Sequence, residues 1–270
     1  MAGLKRTQGS FSIRSVGEVF SFFLFLGRRA KKTKVFFFLS LLPVILVLVI
    51  KANQILSSNP SVSVTSVFSN ILMVFDLQFL VLILALFYGT SVCSEELEGK
   101  TLSYLATRPI PKSAIILGKY AAYTLLIVIM MAISLILSFM ILNSSRLLMV
   151  SLYPELLRYL GVLVLGLICY TAFFTLLGTI LKKAILLGLV FGFGWESVIQ
   201  YFPGSTQRFS IVHYLKSLLP SYPSGGFSFL LFRLEPTRPG LALLALALLT
   251  AAFLALACLA FTYKEYIFED

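Results

Sequence analysis

The 270-residue sequence predicts an all-α membrane protein: a six-transmembrane-helix bundle behind an N-terminal interfacial helix, with both termini cytoplasmic. A short helix is expected in one cytoplasmic loop, and a re-entrant or interfacial segment on the outer side. Three observations carry this. Hydrophobic residues make up 59% and charged residues 12%, with mean hydropathy +0.97, whereas soluble domains are roughly a quarter charged. Uncharged runs reach membrane length: Leu77–Ser94, Tyr120–Leu142, Tyr159–Leu181 and Gly240–Tyr263. A helix needs about 20 mostly apolar residues to cross a bilayer core. Finally, the Lys and Arg residues fall unevenly on alternate sides of those runs.

The spans are placed at 35–56, 71–93, 113–142, 156–181, 184–202 and 240–263. The first is flanked by Lys34 and contains Pro43 and Lys51; the proline kinks it and the lysine snorkels outward. The fifth is interrupted only by Glu196. A transmembrane barrel would need short alternating strands instead of these long runs. With this threading, fifteen of the 22 Lys and Arg residues fall on one side, eight of them before the first span. The positive-inside bias therefore puts both termini in the cytoplasm, at the cell (inner or plasma) membrane. The formal charge of +11 is explained as membrane-edge anchoring. A nucleic-acid surface would want clustered bases with exposed aromatics, and here the aromatics lie in or beside spans.

Two domains follow from the change of composition at Lys34. Residues 1–34 form a basic region in which Phe11, Ile13, Val16, Val19, Phe20, Phe22 and Phe23 alternate with Arg14, Ser15 and Glu18. Such a helix suits the cytoplasmic interface, with its rings in the acyl boundary and the RRAKKTK run among anionic headgroups. Residues 35–270 form the six-span domain. Cys93, Cys169 and Cys258 are odd in number and each sits in a span, so they read as buried small hydrophobes and not as a disulfide framework.

The loop between the second and third spans is the most informative segment. Residues 95–120 read EELEGKTLSYLATRPIPKSAIILGKY. Glu95, Glu96 and Glu98 suit a helix first turn, where carboxylates meet the positive end of the dipole. Leu97, Thr101 and Leu105 recur at helical spacing, with Leu102 and Tyr104 beside that stripe. Pro109 and Pro111 then stop the helix, because the residue before a proline is pushed toward extended backbone. A new helix starts at Lys112-Ser113 and becomes the third span. Thirty residues of helix measure about 45 Å, against a hydrocarbon core of about 30 Å. The third helix must tilt or project into the cytoplasm as a lever.

This loop resembles the signature segment of ABC-2-type permeases, the membrane subunits of ATP-binding-cassette exporters. The elements carrying the resemblance are Glu98-Gly99-Lys100-Thr101-Leu102, Arg108-Pro109 and Ile115-Ile116-Leu117-Gly118-Lys119, with Lys100 inserted relative to the commoner Gly-Thr spacing. The resemblance implies that the short helix is a coupling helix docking on an ATPase subunit, through Glu95, Glu96, Glu98, Thr101, Leu102, Tyr104 and Leu105. It further implies a second permease subunit (a homodimer or a close paralogue), membrane lipid as surroundings, and export of an unidentified substrate. No cofactor is expected on this chain; ATP and Mg are expected on the partner ATPase. The alternative from another class is a non-transporting membrane scaffold or regulatory subunit, using the basic N-terminal region to bind lipid or partners.

Chemistry on this chain is not expected. Ser94 to Thr101 approaches a phosphate-binding loop, but Ser94 replaces the first glycine and a membrane helix precedes it where a strand is required. His213 is the only histidine, so there is neither a multi-histidine metal site nor an HExxH helix, and no G-x-S-x-G elbow occurs. No catalytic or metal residue is assigned. Glu196 is the sharpest single residue: an intramembrane carboxylate is a pathway or gate residue by default, or else an interfacial anchor beside Trp195 that pairs with a neighbour. Asp76 and Gln78 are read as interfacial caps. Gly188, Gly192 and Gly194, with Gly161, Gly166 and Gly178, read as close-packing strips. The outer segment 203–239 carries a helix-like stretch from Thr206 to Leu219, either re-entrant or lying among headgroups.

Overall fold

Long apolar runs without internal breakers dictate helices, and the computed structural model is built of them. It describes residues 13–56, 68, 71–98, 111–144, 152–181, 183–199, 205–219 and 237–263. In chain order the helices are α1 (Ile13–Arg29), α2 (Lys31–Ser40), α3 (Leu42–Leu56), α4 (Val81–Glu98), α5 (Lys112–Leu142), α6 (Tyr153–Ile180), α7 (Ala184–Leu189), α8 (Ile211–Ser217) and α9 (Pro239–Tyr263). A wide π-helical stretch, Ile71–Leu80, leads into α4, and a second, Val190–Trp195, leads out of α7 into the single turn Glu196–Val198. Among the described residues no strand occurs.

Five helical stretches are long and apolar enough to cross a membrane: Lys31–Asn53, Phe75–Cys93, Lys112–Leu142, Tyr153–Ile180 and Pro239–Tyr263. These agree with five of the expected spans to within a few residues. The remaining one, expected at 184–202, is an apolar helix only over Ala184–Trp195, where the π-helical turn and Glu196 end its uncharged run.

Three of the five form the centre. Most side chains of α4, α5 and α6 are buried against one another, while α2–α3 and α9 lie at the rim with much of their apolar surface outward. Two of these helices, α4 and α6, approach closely. A Cβ on Gly89 would lie 2.8 Å from Phe174 Cβ and 2.9 Å from the Thr171 carbonyl oxygen, and one on Gly178 would lie 3.0 Å from the Thr90 carbonyl oxygen. Glycine lets the two backbones meet there, a packing device suited to an environment where apolar burial gives helices no drive to associate. Gly188 and Gly192 seat α7 against Leu86 and Leu82 of α4, whereas Gly161 and Gly194 have open space around them. The small-residue strips are thus only partly used, and α7 packs on α4 without meeting the glycines of α6.

The third span is one unbroken helix of 31 residues starting after Pro111, about 46 Å long at 1.5 Å per residue. Its first turns carry α1. Val19 and Phe23 of α1 pack on Ala122, and a Cβ on Gly118 would lie 2.7 Å from Val19 Cγ1. The Lys119 side chain is buried with its ammonium 4.6 Å over the Phe23 ring. Nearby, Tyr88 of α4 donates to Thr33 Oγ1 at 2.9 Å, and Thr33 donates in turn to the Gly27 carbonyl at 2.6 Å. The α1–α2 corner is thereby tied to α4 and α5.

Candidate functional site

Five buried polar side chains, Glu196, Gln207, Ser210, His213 and Lys216, lie in or next to α8, and the local sequence explains its position. Ser205–Phe209 makes a tight 3-10 turn, Ser210 is extended (φ −102°, ψ 136°), and the helix starts at Ile211. Ser210 stands at the N-cap but its hydroxyl makes no bond to the helix it precedes. A helix start leaves several backbone N–H groups without intrahelical partners. Glu196 answers them from another element: its Oε1 accepts from the Ile211 N–H at 3.2 Å, and its Oε2 accepts from the Ser210 hydroxyl. The carboxylate is 2% exposed. It is a helix cap supplied from fifteen residues upstream in sequence, favoured as well by the positive end of the α8 dipole.

The far end of α8 is held too. His213 Nε2 lies 2.9 Å from Thr237 Oγ1, the Thr237 N–H donates to Ser217 Oγ at 3.2 Å, and Ser217 Oγ donates to the His213 carbonyl at 2.8 Å. This end is therefore fixed to the approach of α9. Between the two ties, Leu215 seats on Gly166, where a Cβ would lie 3.0 Å from its Cδ1. Gly166 is at the middle of α6, so α8 is inserted among the helices.

Around the carboxylate, Tyr170 of α6 is fully buried with its hydroxyl beside Glu196. Lys216 of α8 is buried within electrostatic reach of Glu196. Burial lowers the Lys216 ammonium from its ordinary 10.5 to about 8, while Glu196 pulls it back upward. Burial likewise lowers His213, with Arg208 adding to the effect. Asp76 is buried in the π-helical stretch, 3% exposed, and its Oδ1 makes no hydrogen bond among the described residues. It is the second residue of the candidate span Phe75–Cys93. The two π-helical stretches, which carry or adjoin the two buried acids, touch through Phe79 and Phe193 at 5.7 Å between ring centroids. Wide turns of this kind occur often at functional sites.

The 95–120 segment is placed in part. Glu95, Glu96 and Glu98 belong to the last turn of α4, which runs unbroken from Val81 to Glu98. This corrects the expectation of a helix first turn there. Neither glycine nor proline interrupts residues 90–98, so nothing ends the span helix at the membrane edge. Thr101, Leu102, Tyr104 and Leu105 lie outside the described residues. Structure therefore adds Ser210, Tyr170 and Lys119 to the residues of interest. The Ser210 cap position ahead of an amphipathic run was readable in principle, whereas nothing in the chain order marks Tyr170 as a neighbour of Glu196. No cluster of three or more metal-ligating side chains occurs among the described residues.

A family model described as an ABC-2 family transporter protein matches residues 27–195, well over half the chain. The chain belongs to the ABC-2 transporter family. No curated protein matches it. Membership makes this a multi-pass permease-type membrane protein, the membrane component of a transporter, and members of the family generally work with an ATPase subunit. The matched stretch of the ABC-2 chain includes the 95–120 loop and the whole of α5; Glu196 lies one residue beyond it.

Proposed function

We propose that this ABC-2 chain is the permease subunit of an exporter in the cell membrane, coupling ATP hydrolysis on a separate, Mg-dependent ATPase to movement of a substrate not yet identified. Two permease subunits, identical or closely paralogous, surround the route. Both termini face the cytoplasm, and the sixth crossing is completed through 184–202. The observation that carries the reading is the unbroken α5, a rod about 46 Å long that starts directly after the loop resembling a coupling segment.

The 95–105 segment supplies the docking surface through Glu95, Glu96, Glu98, Thr101, Leu102, Tyr104 and Leu105. The position of the three glutamates supports this. Carboxylates at the C-terminal end of a helix face the negative end of its dipole, which is unfavourable by about 0.3–1 kcal/mol each and calls for cations opposite them. A soluble partner provides those, and a push on the loop passes into α5. Outward, Glu196 acts as the gate residue: by holding the start of α8 it keeps a helix plugged into the bundle, and opening requires that this tie be exchanged. Such coupling works only if the loop makes different contacts with two arrangements of the ATPase.

Purification of the tagged chain from its native membrane tests the docking. The expectation is co-purification of a cassette ATPase, at least about tenfold depleted by Glu98→Lys, since one reversed charge pair exceeds the 1.4 kcal/mol that a factor of ten requires. Membrane insertion should be unchanged. An ATPase retained in full by the variant refutes the docking assignment, and a chain isolated alone refutes the exporter reading in favour of a scaffold.

A further inference from the structure

The outer face of α1 is not used by the reading above. Phe22, Phe25 and Leu26 are 62%, 56% and 52% exposed on it. Immediately beyond stand Arg28, Arg29, Lys31 and Lys34, all exposed, followed by the exposed Val35 and Phe38 of α2. The one acid within residues 13–40 is Glu18, and it is spent locally on Arg14 at 3.4 Å. The Arg29 guanidinium lies 4.2 Å over the Phe25 ring, so a cation and an apolar ring are presented together. The neighbouring cations Lys32 and Lys119 point the other way, onto Tyr88, Tyr123 and Phe23. An apolar strip bordered by four outward cations, with its acid neutralised, matches one chemistry: a leaflet of anionic phospholipid, rings in the acyl boundary and cations at the phosphates.

The opposite face of α1 is locked to the lever. Besides the contact at Val19, a Cβ on Gly118 would lie 3.0 Å from the Val16 carbonyl oxygen, and one on Gly27 would lie 2.6 Å from Leu126 Cδ1. The seam thus runs from Gly118 to Leu126, over two turns at the base of α5. Packed helices of this kind shift as units, since close-packed seams do not deform continuously.

We infer that α1 is a docking surface for anionic phospholipid, and that through its seam with α5 the headgroup charge of the inner leaflet regulates the lever. The second half rests on the permease reading; the first does not. Each cation held at an anionic surface contributes about a fivefold gain in binding, so even two engaged cations give more than tenfold.

The test places the purified chain in nanodiscs of phosphatidylcholine alone or mixed with phosphatidylglycerol and follows hydrogen exchange of the α1 amides. Exchange is expected to slow about tenfold in the anionic discs. The difference should vanish in the R28A/R29A/K31A/K34A variant, with the α6 amides unaffected. Equal exchange of wild-type α1 in both lipids overturns the docking, and needs no variant to fold. The complex with its ATPase is then assayed in the same two lipids. A faster ATP hydrolysis rate in anionic discs is expected, lost in the quadruple variant and in Gly118→Val, which wedges the seam open. Rates equal in both lipids overturn the regulation. If no ATPase associates, the permease reading and the regulation fall together, while lipid-dependent exchange still decides the docking.

Discussion

Replacing Glu196 should loosen the start of α8 while leaving the rest of the bundle intact. In Glu196→Ala the Ser210 hydroxyl and the Ile211 N–H both lose their acceptor. Each buried donor left unanswered costs about 1–3 kcal/mol, so the pair costs about 2–6 kcal/mol. Because 1.4 kcal/mol corresponds to a factor of ten, even the low end raises the detached population of α8 roughly thirtyfold. Glu196→Gln retains one amide oxygen as acceptor and should fall between the variant and wild type. Hydrogen exchange followed by mass spectrometry on the purified chain reads this directly. The amides of Ile211–Ser217 should exchange at least about thirtyfold faster in the alanine variant, and those of α6 at wild-type rates. The far end, tied through His213 and Thr237, should retain more protection than the first turn. Unchanged exchange across Ile211–Ser217 in both variants would refute the assignment of Glu196 as the residue that holds α8 in place.

Two further outcomes follow from the packing and the charges. Gly178→Leu forces α4 and α6 apart, because its Cβ meets the Thr90 backbone at 3.0–3.1 Å; overpacking costs about 1–3 kcal/mol and should lower the melting temperature by several degrees. Gly161→Leu, whose Cβ meets nothing within 4 Å, serves as the control, and equal loss in both would sink the argument. For Lys216, the buried ammonium releases its proton near pH 8 and the unfolded one near 10.5. Between those values the unfolded chain holds more protons, so stability should rise as pH rises from about 8 to 10.5. The slope should disappear in Lys216→Met, and a melting temperature that falls with pH in wild type but not in the variant would contradict it.

Much of the architecture lies in the one-dimensional pattern. Membrane-length apolar runs place five spanning helices to within a few residues, because an uncharged run in this setting can satisfy its backbone only as a helix. The prolines at 109 and 111 predict the start of α5, and residues 98–102, Arg108-Pro109 and Ile115–Lys119 carry the family resemblance that the family match supports. Local rules misplaced Glu95, Glu96 and Glu98. Their residue types suit a first turn, but an uninterrupted upstream helix takes precedence over a preference worth under about 1 kcal/mol.

Length, hydropathy and breakers act locally, and they suffice to make this chain a helical membrane protein with a long helix behind a Pro-punctuated loop. What the buried polar groups meet comes from packing between segments far apart in the chain. Glu196 and Ser210 are fourteen residues apart and Tyr170 lies on another helix, yet they meet at the start of α8. Asp76, the second residue of its candidate span, is buried. Which carboxylate meets which donor depends on how helices cross, and that is set by side-chain contacts between distant segments, such as Gly89 on Phe174 and Gly166 on Leu215, that no local spacing encodes.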